Sequence, residues 1–266
     1  MRSNSGLKIA AWNVARGLSD PQRTPKIIDG IESLGADVVV LSESLKSDGQ
    51  YVDPDFAKKL GFYSMTVGYD DAQPHTSGQQ YLTMLAKLTY SAERMHQARL
   101  ATRNGVIANM RLGSTSLRIL GVHHDDRDED KRLTMAACEL ASYDPDVIAG
   151  DLNAMHGGDS AARVLNHPVT KALARMIPHA RAHSLATRLT NMASGRTIMM
   201  MEDAGMTDAD PEHRPTMIMH GRAIVQLDHI MYAEQRVRAS DPQVHTFDGS
   251  DHYAISAFIT PVTRPE

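Results

Sequence analysis

Six short polar clusters in this chain carry residue types that could do chemistry. The stretch Val147-Ile148-Ala149-Gly150-Asp151-Leu152-Asn153 is an apolar run ending in Gly-Asp-x-Asn, so a carboxylate and a carboxamide leave a strand end on the same side. Such a pair offers a hard anionic ligand or a base beside a neutral donor and acceptor. Gly150 lets the backbone bend there or lets a ligand come close. An Asx turn closing a strand would leave the same trace, so the company these residues keep matters. That company is Trp12-Asn13 at the end of the first strand, Glu43 after the second and His123 at the end of another. Leu227-Asp228-His229 and Ser250-Asp251-His252 complete it.

To converge, these groups must stand at the ends of regular elements. Residues 7–14 read as a strand, mostly apolar, with Asn13 at its end. Residues 25–34 space Ile27, Ile28, Ile31 and Leu34 as a helix does, and Gly35 ends it. Residues 37–41 read as a buried strand followed by Ser42-Glu43. A β-α-β unit of this kind favours parallel pairing, and parallel sheets gather functional residues at the carboxyl ends of their strands.

Residues 53–60 suggest a short helix, 62–67 a strand, and 68–79 an exposed loop in which His75 is solvated. Strands are expected at 81–88, 105–112 and 116–122, the last two joined by a hairpin at Gly113-Ser114-Thr115. Residues 123–132 read as a solvated loop and helix start, His123 excepted. Residues 133–143 follow a helical pattern that carries Cys138 as a buried, inert thiol. Beyond Asn153, the spacing of Ala161, Val164, Leu165, Leu173, Met176 and Ile177 is helical, with Pro168 and Pro178 interrupting. Met192, Met199, Met200, Met201, Met206, Met217 and Met219 read as adaptable core filler, since thioethers are poor ligands for hard cations. Strands at 216–219, 223–232 and 253–259 complete the expected inventory. The mixture indicates an α/β sandwich with mixed sheets, built as one domain over 1–266 with a basic helical insertion near 158–200.

With 266 residues, 42% apolar and 23% charged, the chain can bury a sizeable core. No apolar run reaches the roughly 18 residues of a membrane helix, and residues 1–6 lead straight into a strand pattern, so a cytoplasmic location is expected. One cysteine excludes an internal disulfide. A net charge of −4 argues against coating nucleic acid by bulk electrostatics. Between residues 160 and 200, however, stand Arg163, Lys171, Arg175, Arg181, Arg188 and Arg196 and no acid; setting these six aside leaves 22 basic against 32 acidic residues. A basic patch on an acidic body suits an enzyme holding an anionic substrate at one rim, and solvated helix faces would give the same pattern.

Trp-Asn, a strand-end Glu, a strand-end His, Gly-Asp-x-Asn, Leu-Asp-His-Ile and Ser-Asp-His, in that order from residue 7 to about 260, resemble the endonuclease/exonuclease/phosphatase superfamily, which includes deoxyribonuclease I. The resemblance implies a four-layer α/β sandwich, two mixed β-sheets flanked by helices, and phosphoester hydrolysis with Mg²⁺ or Mn²⁺. Carried over residue by residue, it makes Glu43 the principal metal ligand, with Asn13 and Asp251 also at the metal. Asp151 would orient or deprotonate the attacking water, and Asn153 would hold water and phosphate in line. His252, paired with Asp228, would contact the phosphate or handle a proton, and His123 would stabilise phosphoryl oxygens. Two positions depart from the family's pattern: Ala15 stands where AP endonucleases carry an Asp, and Leu41-Ser42 precedes Glu43 where Leu-Gln is usual.

The chemistry is consistent with these roles. A phosphodiester repels hydroxide, so its hydrolysis needs a cation to neutralise oxygen charge and a positioned base. Glu43 and Asp251 are hard oxygen ligands suited to Mg²⁺, and an adjacent carboxylate favours charged imidazole. The leading expectation is a phosphodiesterase acting on nucleic acid, DNA first, with Arg175, Arg181 and Arg188 gripping backbone phosphates. The alternatives are a hydrolase of a small phosphorylated molecule (nucleotide, inositol phosphate or lipid headgroup) and an inactive binding module. The last is disfavoured because Glu43, Asp151, Asn153, Asp228 and His252 are all present.

Overall fold

Runs such as Val38-Val39-Val40-Leu41 offer no polar face to water, and the fold covers both of their sides. A computed structural model describes residues 6–45, 52, 54–69, 81–89, 92–175 and 180–262. His75 and most of the expected loop at 68–79 lie outside the described residues.

The chain forms β1 (Leu7–Asn13), α1 (Thr24–Leu34), β2 (Val38–Ser42), α2 (Pro54–Lys59), β3 (Phe62–Gly68) and β4 (Tyr81–Lys87), then β5 (Ala92–Leu100), β6 (Arg103–Leu112) and β7 (Thr115–His123). There follow α3 (Glu129–Cys138), a π-helical turn at Glu139–Tyr143 and β8 (Val147–Asp151). The basic segment supplies α4 (Ser160–Asn166), α5 (Pro168–Arg175), α6 (Ala180–Met192) and α7 (Arg196–Asp203). The chain ends with β9 (Met206–Asp208), β10 (Met217–Met219), β11 (Arg222–Val225), β12 (Asp228–Ala233), β13 (Val237–His245) and β14 (Ala254–Pro261). Among the described residues two six-stranded sheets result, in the orders β13-β14-β1-β2-β4-β3 and β5-β6-β7-β8-β12-β9, with β10 and β11 paired apart.

Strand alternation divides the side chains between cores. Leu7, Ile9, Ala11, Val38 and Val40 meet Val106, Ala108, Ile119, Val147 and Ala149 between the sheets. Their neighbours Ala10, Trp12, Val39 and Leu41 pack under Ile27, Ile31 and Leu34 of α1. On the far side, Ile107, Leu120 and Ile148 pack against Met135 and Ala136 of α3 and Ile198 and Met201 of α7. Helix, sheet, sheet and helix make the expected four layers.

Among the described residues each sheet contains a parallel pair, β1 with β2 and β7 with β8, which sets Asn13 opposite Ser42 and His123 opposite Asp151. Antiparallel β12 begins opposite Asp151, and β14 begins beside the end of β1. The carboxyl ends of four strands and the starts of two more thus share one edge. Gly150 holds φ +145°, and a Cβ there would lie 1.9 Å from the Val122 carbonyl oxygen. The close approach is that of the neighbouring strand, not of a ligand.

Several expectations need correction. β5, β9 and β13 were not foreseen, and all three are sheet edges, where one side faces solvent and the apolar pattern thins; β13 even carries Pro242. The strand expected at 223–232 is two, β11 and β12, broken at Gln226-Leu227. Pro168 interrupts the helical region as expected: α4 ends at Asn166, His167 is extended, and Pro168 opens α5, where a missing N–H costs nothing. Cys138 is half-buried, with its Sγ 3.5 Å from the Arg99 carbonyl oxygen. Met199 is 52% exposed, so it fills no core.

Candidate active site

Asp151 is the last residue of β8 and is buried at the sheet edge. Its Oδ1 accepts the backbone N–H of Asn153 at 2.9 Å, and its Oδ2 accepts Asn13 Nδ2 at 2.9 Å. Burial first, and then the nearby Asp228 charge, push its carboxyl up to about 6, against the pull of His252 and these hydrogen bonds. A carboxylate poised near neutrality can take a proton and return it. Asn153 itself sits at φ +48°, and its Nδ2 donates to the His124 carbonyl at 3.1 Å.

Asp228 is fully buried where β12 starts. Its Oδ1 accepts the backbone N–H of Asn13 at 3.1 Å, and its Oδ2 accepts His252 Nδ1 at 2.7 Å. Burial alone would lower the His252 pKa; the Asp228 charge and hydrogen bond, with Asp151 and Asp251 adding to them, outweigh it and raise the imidazole to about 10. His252 is therefore a cation at neutral pH. Trp12 Nε1 donates to its carbonyl at 3.0 Å, which fixes the ring's backbone against β1.

Glu43 follows β2 at φ +56°, and Ala15 and Arg16 beside it have φ +46° and +59°. Left-handed non-glycine residues are strained, and they collect here at the pocket mouth. Asn13 Nδ2 also donates to Glu43 Oε1 at 3.4 Å, while Asn13 Oδ1 accepts the Ala15 N–H at 2.9 Å. Burial raises the Glu43 pKa, the neighbouring Asp251 raises it further, and Asn13, Arg16 and His252 oppose the rise. Glu43 and Asp251 line one pocket as oxygen donors of the kind a hard divalent cation takes, since it needs few protein ligands and keeps its waters. Asp151, Asp228 and His252 also bring ligand atoms within 4.8 Å of one another. Both Asp228 oxygens and His252 Nδ1 are already hydrogen-bonded within the protein.

His123 faces Asp151, with Nε2 3.6 Å from Oδ2. The Tyr69 hydroxyl accepts the Glu43 N–H at 2.9 Å and bonds to His123 Nδ1. Burial and the Glu43 charge hold Tyr69 well above its usual pKa, so it stays a phenol and donates to Nδ1. Burial, then Arg103, His252 and His124, hold His123 well below its usual pKa. The ring is therefore neutral, with its remaining N–H on Nε2. Arg103 lies 5.2 Å over the Tyr69 ring and donates to the His124 carbonyl at 2.8 Å.

All these groups meet. Asn13, Glu43, His123, Asp151, Asn153, Asp251 and His252 line one pocket of about 340 Å³, with Arg103, Arg127, Arg188 and Asp126 on its walls. Arg188 reaches it from α6 and pairs with Asp126 at 2.5 Å. The side chains of Arg175 and Arg181 lie outside the described residues. Sequence reasoning missed Tyr69, Arg103 and Arg127. Tyr69 follows directly on β3, and the strand-end rule that found His123 would have found it.

The sequence pattern of the Endonuclease/Exonuclease/phosphatase family matches residues 10–252. The chain belongs to that family. No curated protein matches it by sequence. Among solved structures, an endonuclease/exonuclease/phosphatase family protein from Bacteroides thetaiotaomicron superposes with a TM-score of 0.64 at 13% identity, covering 97% of this chain and 98% of that one. The human Nocturnin catalytic domain with bound sulfate gives 0.61 at 11% identity, covering 98% and 95%. ANGEL2, a 2′,3′-cyclic phosphatase in complex with adenosine-2′,3′-vanadate, gives 0.61 at 13% identity, covering 96% and 95%. At such identities what this family member shares with them is the fold of two mixed sheets flanked by helices.

Proposed function

We propose that this family member is a divalent-metal-dependent phosphodiesterase that hydrolyses nucleic acid, DNA first, by in-line attack of water. The observation that carries the reading is the meeting of a near-neutral carboxyl, Asp151, with a charged His252 and the Glu43–Asp251 pair in one pocket. Glu43 and Asp251, with Asn13 beside them, would hold Mg²⁺ or Mn²⁺, which when bound neutralises charge on the phosphoryl oxygens. Asp151 takes the proton from the attacking water, and the Asn153 carboxamide, with one amide hydrogen tied to the His124 carbonyl, orients that water through its oxygen. His252, kept charged by Asp228, faces the phosphate and handles the leaving-group proton. His123 offers Nε2–H to a phosphoryl oxygen. Arg103, Arg127 and Arg188 draw the anionic substrate in. A single cysteine, which leaves no internal disulfide to form, suits a reducing, cytoplasmic location.

A second reading, hydrolysis of a small phosphorylated molecule, is favoured by the pocket volume of about 340 Å³ and by the engagement of Arg188 with Asp126. One panel tests both: duplex DNA, single-stranded DNA, RNA, nucleotides and inositol phosphates with Mg²⁺, repeated in EDTA and with Asp151→Asn. The expected result is polynucleotide cleavage that EDTA abolishes and Mg²⁺ or Mn²⁺ restores. Asp151→Asn should fold normally and lose at least about a hundredfold in kcat. Activity that persists in chelator, or near-normal turnover by Asp151→Asn, overturns the mechanism. Turnover confined to the small substrates selects the second reading.

A further inference from the structure

Outside the active-site pocket stands another group of side chains of ligating type. His156, Asp159 and His213, all half-buried, bring one ligand atom each to within 4.8 Å of one another. His156 lies in the loop after β8, Asp159 directly precedes α4, and His213 lies between β9 and β10. Asp159 and His213 line a cavity of about 370 Å³ that shares no lining residue with the active-site pocket.

The hydrogen bonds around the two imidazoles fix which nitrogen carries the lone pair: on His213 it is free, and on His156 an ion would take the place of the Gly158 N–H. His156 turns Nε2 toward Glu202 Oε1 at 3.3 Å, and its Nδ1 accepts the Gly158 N–H at 3.0 Å, so Nδ1 carries the lone pair. His213 Nδ1 is 3.2 Å from Gln226 Oε1, whose amide is oriented by Nε2 contacts of 3.4 Å to Asp208 Oδ2 and to the Asp228 carbonyl. His213 therefore donates from Nδ1 and keeps its lone pair on Nε2. A carboxylate or amide oxygen behind each ring is the arrangement that orients metal-bound histidines. The rings stack at 3.9 Å with 10° between their planes, so both would tilt out of the stack to face a shared ion.

Asp159 supplies the anionic partner. It occupies the N-cap position of α4 yet makes no capping bond, and no described N–H or O–H donates to its carboxylate. A half-buried carboxylate left without a donor is costly unless something positive faces it. His213 is held at φ +50°, a strain expected where side-chain placement matters.

We propose that His156, Asp159 and His213 form a second metal site, separate from the active-site pocket, that takes a divalent transition ion of the zinc class. Two imidazole nitrogens and one carboxylate are a zinc donor set, whereas Mg²⁺ prefers oxygen alone. An ion there would pin the entry to α4, and with it the basic helical segment, to the chain before β10.

The test uses the metal-stripped full-length protein carrying Glu43→Gln, which disables cation binding in the active-site pocket. It is titrated with Zn²⁺ against a chromophoric chelator, and its unfolding midpoint is followed. The expected result is one Zn²⁺ per chain, undisturbed by excess Mg²⁺, and a Tm that rises with Zn²⁺. Adding His213→Gln or Asp159→Asn should weaken Zn²⁺ binding at least about tenfold and remove the Tm rise. Absence of stoichiometric Zn²⁺, or unchanged affinity in both added variants, overturns the proposal. Asp159→Asn guards against misfolding, because its carboxylate makes no hydrogen bond that folding would miss. The outcome is independent of which substrate the active-site pocket takes.

Discussion

Asp228 exposes no surface, yet its charge acts on both Asp151 and His252. It adds to the burial that raises Asp151, and it overcomes the burial that would lower His252. In the proposed mechanism Asp151 is ionised to serve as base, so kcat/KM should climb with pH through about 6, and His252 is charged, so it should fall toward about 10. Asp228→Asn removes a negative charge from both neighbours, which lowers both pKa values and moves both limbs of the profile to lower pH. Limbs that stay in place would show that Asp228 does not control these groups. Asp151, Asp228 and His252 were legible because each stands in a short motif at a strand boundary. The neutral state of His123 was not, because it depends on Tyr69, a residue 54 positions away that reads in isolation as the start of a loop.

At the scale of elements, the two parallel pairs decide where the chemistry sits. Gly150 is the tightest point, because a Cβ would lie 1.9 Å from the Val122 carbonyl oxygen and only a shift of β7 or β8 could relieve it. Gly150→Ala should therefore cost at least about 2 kcal/mol in denaturant unfolding and should also displace Asp151. A change within a few tenths of a kcal/mol would show that the strands have slack. The central strands were legible from their unbroken apolar runs, and α1 from its spacing and from Gly35, which caps it at φ +56°. The edge strands β5, β9 and β13 were not, since residues such as His96, Arg238 and Asp241 face water and break the pattern.

For the whole molecule, the basic helical segment is joined to the second sheet through fully buried Arg132, which pairs with Glu129 and donates to the Asn191 carbonyl at 2.7 Å. Arg188 of this segment reaches the active-site pocket. Neutralising Arg175, Arg181 and Arg188 together should weaken polynucleotide cleavage more than hydrolysis of a small chromogenic phosphodiester, and should flatten the salt dependence of polynucleotide binding. Equal losses on both substrates would favour the small-molecule reading. Composition made the charge asymmetry of this segment visible, but not that Asp126 would already engage Arg188.

Asn13, Glu43 and His252 come with the first sheet, and His123, Asp151 and Asp228 with the second. The contacts Asn13–Asp151, Asn13–Asp228 and His252–Asp228 bridge the two at 2.9, 3.1 and 2.7 Å. Neither half of the sandwich holds the proposed centre alone, so turnover would report on how the halves are docked. Shear between them by a fraction of a strand spacing would silence turnover while circular dichroism still read as native, making enzymatic rate the earliest gauge of loosening under mild denaturant or pressure.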